Sequence, residues 1–190
     1  MATLVVVATT LLLARHGETD ANRERRWQGQ TETELNDNGR EQARRLALEL
    51  AAEPPDAIFC SDLDRARETA EIVGGELSLE VQLEPRLREV DVGKLAGRSV
   101  AEMHGDWARP LDYLLAEQPA VFKDMRSRVV DALLEIAAAH EGKRVLVVTH
   151  GGPIAAAWLA CGGEVADRPS VGNCHVQRIR VEGRTMARID

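Results

Sequence analysis

Two segments that lie far apart along the chain share one pattern of apolar and polar positions. The apolar run 11–14 is followed two positions on by His16, and the apolar run 145–148 is followed two positions on by His150. A glycine comes directly after each histidine. A short apolar run bounded by a turn residue is typical of a buried strand, and ligands bind beyond the carboxyl ends of such strands in open α/β sheets. The pattern therefore predicts that both histidines face one pocket.

Apolar residues at helical spacing predict amphipathic helices between the strands. Ala43, Leu46, Ala47 and Leu50 form one stripe at i, i+3, i+4 and i+7. We expect that helix to follow Gly39, after a long polar loop over residues 17–38. A second helix is predicted from a cap at Ser61 to Gly74-Gly75, and one or two short helices broken near Pro110 are predicted in 99–117. Apolar positions within 125–136 mark a long helix that ends near Gly142, and a last helix is opened by Pro153.

Strands predicted at 57–60, 77–83 and 145–149 alternate with these helices, and a tail hairpin joins 175–181 to 185–189 through a glycine turn. Alternation of this kind predicts an α/β fold, specifically a three-layer α/β/α sandwich with a mostly parallel mixed sheet and one antiparallel strand. We expect one domain over residues 1–190, with 1–9 as a short N-terminal extension. An edge strand in the tail could pair with a second copy, so a homodimer is possible.

Composition and charge argue against several classes of protein, namely nucleic-acid-binding, membrane-spanning and secreted proteins. The chain has 190 residues with a net charge of −7, which argues against general nucleic-acid binding. The apolar stretch 4–14 is too short to span a bilayer and lacks the basic start of a signal peptide. Three cysteines without CxxC spacing suit a reduced protein. We therefore expect a cytoplasmic protein with neither a nucleic-acid nor a membrane partner.

Three strand-to-helix junctions bring polar side chains to one edge of the predicted sheet. The first junction supplies Arg15 and His16, the second supplies Ser61 and Arg65, and the third supplies His150. Together with the N-terminal amides of the helix after Gly151, these groups form a candidate anion site. Nearby arginines should lower the pKa of His16 and leave a nitrogen lone pair free, so a neutral imidazole could attack phosphorus.

Residues 15–19 read Arg-His-Gly-Glu-Thr, and this segment resembles the signature of the histidine phosphatase superfamily, the phosphoglycerate-mutase-like proteins (branch 1). Further stretches resemble the family's motifs in the same order; they are Asn22, the Gly29 to Ala43 stretch, Ser61 to Ala66, Leu87 to Gly97, and Val148 to Gly152. Five motifs in order are a specific signal. The resemblance implies the phosphoglycerate-mutase-like fold.

The resemblance also implies roles for individual residues. His16 would accept the phosphoryl group and become phosphohistidine. Arg15, Arg65 and His150 would hold the non-bridging oxygens and stabilise their charge in the transition state. Asn22 would add a hydrogen bond to the phosphate. Because the arginines supply the positive charge, no metal and no other cofactor is implied.

Glu89 would protonate the leaving oxygen and then activate water, for which it must be protonated when the substrate arrives. The substrate-binding set implied by the resemblance also includes Gln28, Gly29 and Gly151. The predicted reaction is metal-independent hydrolysis of a small phosphorylated metabolite, and the sequence does not identify that metabolite.

The chain departs from the family's pattern in places. Glu32, Glu34 and Asp62 replace the usual Asp, Pro and Pro, and residues 116–122 replace a Gly-Gly-Glu-Ser-Phe segment. The last change lies in the region 94–122, which we expect to cap the pocket, so it bears on substrate choice more than on chemistry.

Several other residues allow two interpretations. Arg67 is expected to make a surface ion pair, and Cys60 is expected to be a small buried residue. Arg23, Arg25 and Arg26 form either a solvated loop face or a surface that steers anions. Trp27 and Trp107 either line the substrate mouth or pack in the core.

Three alternatives to a phosphatase stay open. A mutase would return the phosphoryl group to a bound phosphoglycerate, but between Glu89 and Pro119 the chain offers only Lys94, Arg98 and Arg109 as basic residues. A binding module without turnover would not need the full set of catalytic groups. A metallohydrolase would need a ligand cluster such as HExxH, which does not occur in the sequence.

Overall fold

A computed structural model describes residues 7–100, 110–167 and 171–189 of the chain. Its strands form one sheet, and their bounds are β1 Thr9–Arg15, β2 Ala57–Cys60, β3 Val81–Leu83, β4 Arg144–Thr149, β5 Val176–Glu182 and β6 Thr185–Ile189. The order across the sheet is β3-β2-β4-β1-β5-β6. Strands β1 to β4 are parallel, whereas β5 is antiparallel to both of its neighbours. The expected mixed sheet with a single reversed strand is therefore confirmed for the described part of the chain.

The helices are α1 Asp20–Arg23, α2 Asp37–Leu50, α3 Asp64–Leu77, α4 Pro110–Glu117, α5 Pro119–Ala139 and α6 Gly151–Ala160. Short 3₁₀ turns lie at Pro85–Leu87 and Gly93–Leu95. No helix among the described residues is both long and apolar enough to cross a bilayer.

Side chains alternate between the two faces of β1, and each face is buried under different helices. Leu12 and Ala14 pack in a cluster with residues of α2 and α3, while Leu11 and Leu13 pack in a second cluster with residues of α5 and α6. All four are almost completely buried. Because a central strand buried on both faces reads as a continuous apolar run, the sequence showed β1 clearly. The three-layer α/β/α arrangement is confirmed.

Several predicted boundaries were wrong. Helix α2 begins before Gly39, because the Asn36 side chain accepts a hydrogen bond from the Gly39 amide and caps the helix at an earlier position. The Gly74-Gly75 pair lies inside α3, which ends at Ser78 in a left-handed conformation. The long loop 17–38 contains the short helix α1, capped by Thr19.

Two prolines lie in the first turns of helices. Pro110 is the first residue of α4, as suits its fixed φ angle, and the segment before it, where the predicted break would fall, lies outside the described residues. Pro153 is in the first turn of α6, which begins two residues earlier than expected, at Gly151. The remainder of the expected short helices, residues 101–109, lies outside the described residues.

Close backbone packing explains the glycine that follows the first histidine. A Cβ on Gly17 would lie 2.5 Å from the Gly39 carbonyl oxygen, and a Cβ on Gly39 would overlap the backbone of Glu18. The chain leaving β1 therefore passes directly against the first turn of α2. This contact fixes the course of the loop that carries the site residues.

Candidate active site

The two histidines meet where the parallel strands β1 and β4 end. His16 follows β1 and His150 follows β4, and the two strands are neighbours in the sheet. Their ring centroids lie 5.2 Å apart, and both side chains are buried. His16 lines a cavity of about 300 Å³, and His150 adjoins the His16 ring.

The cavity brings the other sequence-predicted residues together. Besides His16, its lining contains these members of the predicted set: Arg15, Asn22, Gln28, Gly29, Arg65, Glu89 and Gly151. They come from six separate places along the chain, so the fold assembles the set that the motifs indicated.

The His16 ring is held in one tautomer. Its Nδ1 lies 2.7 Å from the Gly17 carbonyl oxygen, which can only accept a hydrogen, so Nδ1 carries the proton. Its Nε2 accepts a hydrogen bond from Arg65 Nε at 3.3 Å. Burial, followed by the charges of Arg65 and Arg15, holds the pKa of His16 well below its usual value. The ring is thus neutral, with the Nε2 lone pair on the side of the arginine.

Arg65 is a buried cation at the first turn of α3, with a side chain that leaves the residue only 1% exposed. Its guanidinium donates to the carbonyl oxygens of Gly29 at 2.7 Å and Thr31 at 2.9 Å. Burial lowers the pKa of Arg65 to about 10, and the charge of Glu89 acts in the opposite direction. Arg65 therefore remains charged at neutral pH and is fixed in place.

Arg15 has an unused donor. One of its terminal nitrogens donates to the Val171 carbonyl oxygen at 2.9 Å, but its Nε is buried and has no partner among the described residues. Burial also lowers the pKa of Arg15. A buried cationic N–H without an acceptor is costly unless an anion completes it.

The His150 ring is oriented by Ser61. His150 Nε2 lies 2.8 Å from Ser61 Oγ, which itself accepts a hydrogen bond from the Leu63 amide at 3.3 Å. Since that hydroxyl can donate to Nε2, the His150 proton belongs on Nδ1, a buried atom without a partner among the described residues. Burial and the Arg65 charge hold the pKa of His150 well below its usual value. The expected helix cap at Ser61 is wrong, because α3 begins at Asp64 and the Ser61 hydroxyl serves the histidine instead.

The Glu89 side chain is hydrogen-bonded to the first turn of α6. Its carboxylate accepts hydrogen bonds from the amides of Val90 at 2.9 Å and Gly152 at 3.1 Å. A Cβ on Gly152 would overlap this carboxylate, so a larger residue there would displace the carboxylate from its present position. The Gly152 amide is therefore occupied by Glu89, and Gly151, at the same helix end, lines the cavity.

Two amide side chains line the cavity with their oxygens already hydrogen-bonded. Asn22 Oδ1 accepts from the Thr19 amide at 3.2 Å and from Asn173 Nδ2 at 3.3 Å. Gln28 Oε1 accepts from Thr19 Oγ1 at 3.0 Å and from Thr33 Oγ1 at 2.8 Å. With their oxygens used by the protein, both residues keep donors for an anion.

Two supporting residues escaped the sequence analysis. Asn173 donates to the His16 carbonyl oxygen at 2.8 Å, across 157 positions of the chain. Arg128 donates to the carbonyl oxygens of Arg86 at 2.5 Å and Glu89 at 2.9 Å, which fixes the loop that carries Glu89. Neither residue belongs to a local motif, so a single sequence holds no signal for them.

The ambiguous residues divide between the two interpretations. Arg67 forms ion pairs with Asp64 and Glu71, and Cys60 is fully buried, as expected. Trp27 fits both interpretations, because it is buried in the core and also lines the cavity.

Arg23 pairs with Asp20 at the surface, while Arg26 reaches the cavity wall and also binds Glu24. Trp107 lies outside the described residues. Among the described residues, no group of three or more His, Cys, Asp or Glu side chains is arranged to hold a metal ion.

Comparisons with known proteins agree with this geometry. The family model for the histidine phosphatase superfamily (branch 1) matches residues 11–188. A metal-independent phosphoserine phosphatase from Arabidopsis thaliana is 37% identical over 161 residues, which cover 80% of this chain and 68% of that protein. A protein from Enterobacter sp. (strain 638) named "probable phosphoglycerate mutase GpmB" is 34% identical over 178 residues, with coverage of 88% and 82%.

Solved structures show the same fold. YhfR from Bacillus stearothermophilus superposes with a TM-score of 0.80 at 33% identity, covering 95% of each chain. A phosphoserine phosphatase mutant from Entamoeba histolytica, in complex with phosphoserine, superposes with a TM-score of 0.82 at 26% identity, covering 96% of this chain and 95% of the other. The similarity thus includes proteins named as phosphatases as well as a protein named as a mutase.

Proposed function

Because the chain belongs to branch 1 of the histidine phosphatase superfamily, we propose that it is a metal-independent phosphatase that hydrolyses a small phosphate monoester through a phosphohistidine on His16. The observation that carries this proposal is the neutral His16 ring, whose Nε2 faces the cavity-lining cation Arg65. Nucleophile and positive charge are thus fixed before any substrate arrives, which is the form of catalysis that phosphoryl transfer favours.

In the first step, His16 Nε2 attacks the phosphorus and the bond to the leaving oxygen breaks. Arg15 Nε, Arg65 and the Nδ1 proton of His150 stabilise the charge on the non-bridging oxygens. Glu89, in its protonated form, gives its proton to the leaving alcohol. The Gly17 carbonyl oxygen accepts the His16 Nδ1 hydrogen and stabilises the positive charge that the ring acquires.

In the second step, water takes the place of the released alcohol. Glu89 removes a proton from this water, the oxygen attacks the phosphorus, and the P–N bond breaks to return neutral His16 and inorganic phosphate. Glu89 ends the cycle protonated again. Its attachment to Gly152 keeps the carboxyl group in position for both proton transfers.

A mutase would need cationic groups to retain a second anionic centre of the substrate. Lys94 and Arg98 are exposed and are not among the described residues that line the cavity, and Arg109 lies outside the described residues. Among the described residues, the segment between Glu89 and Pro119 therefore adds no cation to the cavity. The outer cations are Arg26, which is bound to Glu24, and Arg188, which stacks on Trp158. We therefore favour hydrolysis over phosphoryl return.

The proposed intermediate is tested by rapid acid-free quenching during turnover of a ³²P-labelled monoester. We expect a phosphoryl adduct on His16 that is stable in base and labile in acid. The variant His16→Ala should lose about 10³-fold or more of the phosphatase rate. A matched control is His140→Ala, because His140 lies at the end of α5, away from the cavity lining. Turnover without an adduct in the active wild-type protein would refute the proposal.

Independence from metal is tested by turnover in EDTA, which should match the rate in added Mg²⁺. Loss of activity that returns with a divalent cation would support a metallohydrolase instead. We also propose a reducing, cytoplasmic setting, which is consistent with three free cysteines.

A further inference from the structure

The cavity continues beyond the phosphate-binding groups, and that outer part is lined by apolar side chains. Its apolar wall includes Val90, Val92, Leu114, Ile154, Trp158 and Ile179. Four of them come from elements that the catalytic residues do not occupy, including α4 in the expected cap region. Of the described residues that line the cavity, Glu89 is the one carboxylate, and it is already bound to α6.

The register of the sheet shows how far this wall extends. Ile179 pairs with Leu11 on β1, five residues before His16, and Arg188 pairs with Ile179 on the next strand. At about 3.4 Å per residue, this pair lies about 17 Å along the sheet from the His16 position. Because one cavity touches His16, Ile179 and Arg188, its lining includes residues well separated from the phosphate-binding groups.

A stacked pair lies in the outer wall. The Arg188 guanidinium carbon lies over the Trp158 ring, 3.9 Å from its centroid. The pair forms a broad and mostly hydrophobic surface. Arg26, the other cation of the outer wall, binds Glu24 and the Gly97 carbonyl oxygen.

We propose that the outer cavity is a leaving-group subsite that selects phosphate monoesters of alcohols with an extended apolar or aromatic body, in preference to small polar esters such as phosphoserine or 3-phosphoglycerate. This inference rests on the proposed phosphatase function. An apolar leaving group displaces water from the wall and gains transfer free energy, whereas the ammonium of phosphoserine finds there no carboxylate beyond Glu89 among the described residues.

A homologous series of primary alkyl phosphates, from ethyl to octyl, tests the subsite without changing the leaving-group chemistry. We expect kcat/KM to rise by up to about fourfold per methylene while the chain fills the cavity, and then to level off at the end wall. We expect 2-phenylethyl phosphate to exceed phosphoserine and 3-phosphoglycerate by about tenfold or more. A flat series, or higher kcat/KM for either polar ester, would overturn the inference and leave the phosphatase intact.

The variant Ala155→Phe places a large side chain in the outer cavity, because Ala155 lines it from α6. We expect ethyl phosphate to retain its kcat/KM within about twofold and the chain-length dependence to disappear. The same exchange at Ala138, which is exposed on α5, is the matched control and should keep the full dependence.

If Ala155→Phe fails to turn over ethyl phosphate, the variant Trp158→Ala serves as the test of the subsite. Removing that side chain should move the plateau to longer chains. An unchanged plateau in Trp158→Ala, or an unchanged slope in an active Ala155→Phe, would place the selectivity elsewhere and refute the subsite. Absence of phosphate release from every ester, polar or apolar, would instead refute the proposed function itself.

Discussion

We propose that Ser61 sets the position of a single hydrogen on the His150 ring. The Ser61 hydroxyl lies 2.8 Å from His150 Nε2, so the ring proton belongs on Nδ1, a buried atom without a partner among the described residues. We expect Ser61→Ala to lower kcat by about tenfold or more, because the ring loses its fixed tautomer and one oriented donor. The measurement is steady-state kinetics together with ¹⁵N NMR of the His150 ring.

The NMR signal separates positioning from a general loss of structure. In the wild-type protein we expect a protonated Nδ1 and an unprotonated Nε2 on His150, and in Ser61→Ala a mixture of tautomers. Ser61→Thr, which keeps the hydroxyl, should restore part of the rate. A single unchanged tautomer in Ser61→Ala would show that Ser61 does not set it.

At the residue scale, the sequence identified the side chains of the candidate site but not the residues that fix the backbone around them. Arg15, His16 and Arg65 stand at strand-to-helix junctions, where a local pattern is enough to identify them. Asn173 and Arg128 act through hydrogen bonds to distant backbone atoms. Such contacts depend on the tertiary fold, and no spacing in one sequence reveals them.

At the scale of elements, the start of α6 is shaped around Glu89. Gly152→Ala would place a methyl group on the Glu89 carboxylate, so we expect this variant to displace the proton donor. The phosphatase kcat should fall by about tenfold or more, since general acid–base catalysis of this kind contributes about 10²-fold or more. Single-turnover kinetics with an alkyl phosphate measure the effect, and an unchanged rate would show that Glu89 moves aside without consequence.

Gly75→Ala is the matched exchange in another helix. Gly75 lies exposed in α3, and a Cβ there would meet nothing within 4 Å. We expect the free energy of unfolding to rise by about 0.5–1 kcal/mol, because alanine restricts the unfolded chain and favours the helix. Urea unfolding measures this gain, and activity should not change. A loss of stability would contradict the helical, unhindered position of Gly75.

The Gly74-Gly75 pair in α3 shows why helices and strands were easier to predict than the residues at which they end. Apolar periodicity located α2, α3, α5 and the strands, because burial of one face imposes it. The sequence predicted that α3 ends at Gly74-Gly75, but Gly74 lies inside the helix. Position 74 is a glycine because a side chain there would overlap the Leu79 backbone. A glycine required for close packing and a glycine that ends a helix look alike in a sequence.

At the scale of the whole molecule, two buried neutral histidines make stability depend on pH. His16 and His150 have pKa values well below 6.5 in the folded protein and about 6.5 when unfolded. Below pH 6.5 the unfolded chain binds protons that the folded protein does not, so the free energy of unfolding falls as the pH falls. Each histidine contributes a slope of at most about 1.4 kcal/mol per pH unit.

Urea unfolding between pH 7.5 and 5 measures this slope. We expect His16→Ala to have a shallower dependence than the wild-type protein below pH 6.5, by up to the contribution of one histidine. Carboxylates affect both proteins alike, so the comparison isolates the imidazole. Parallel curves would show that His16 takes up a proton in the folded state.

The position of β1 in the sheet has a consequence for the order in which the protein can be built on the ribosome. β1 is synthesised before both strands that flank it, because β4 and β5 are made after residue 143. Until then its leucines have neither neighbouring strand to pair with, and contacts across such long stretches of chain form slowly. A nascent chain therefore contains His16 well before the sheet that positions it can form, and we expect β1 to be a binding segment for chaperones during translation.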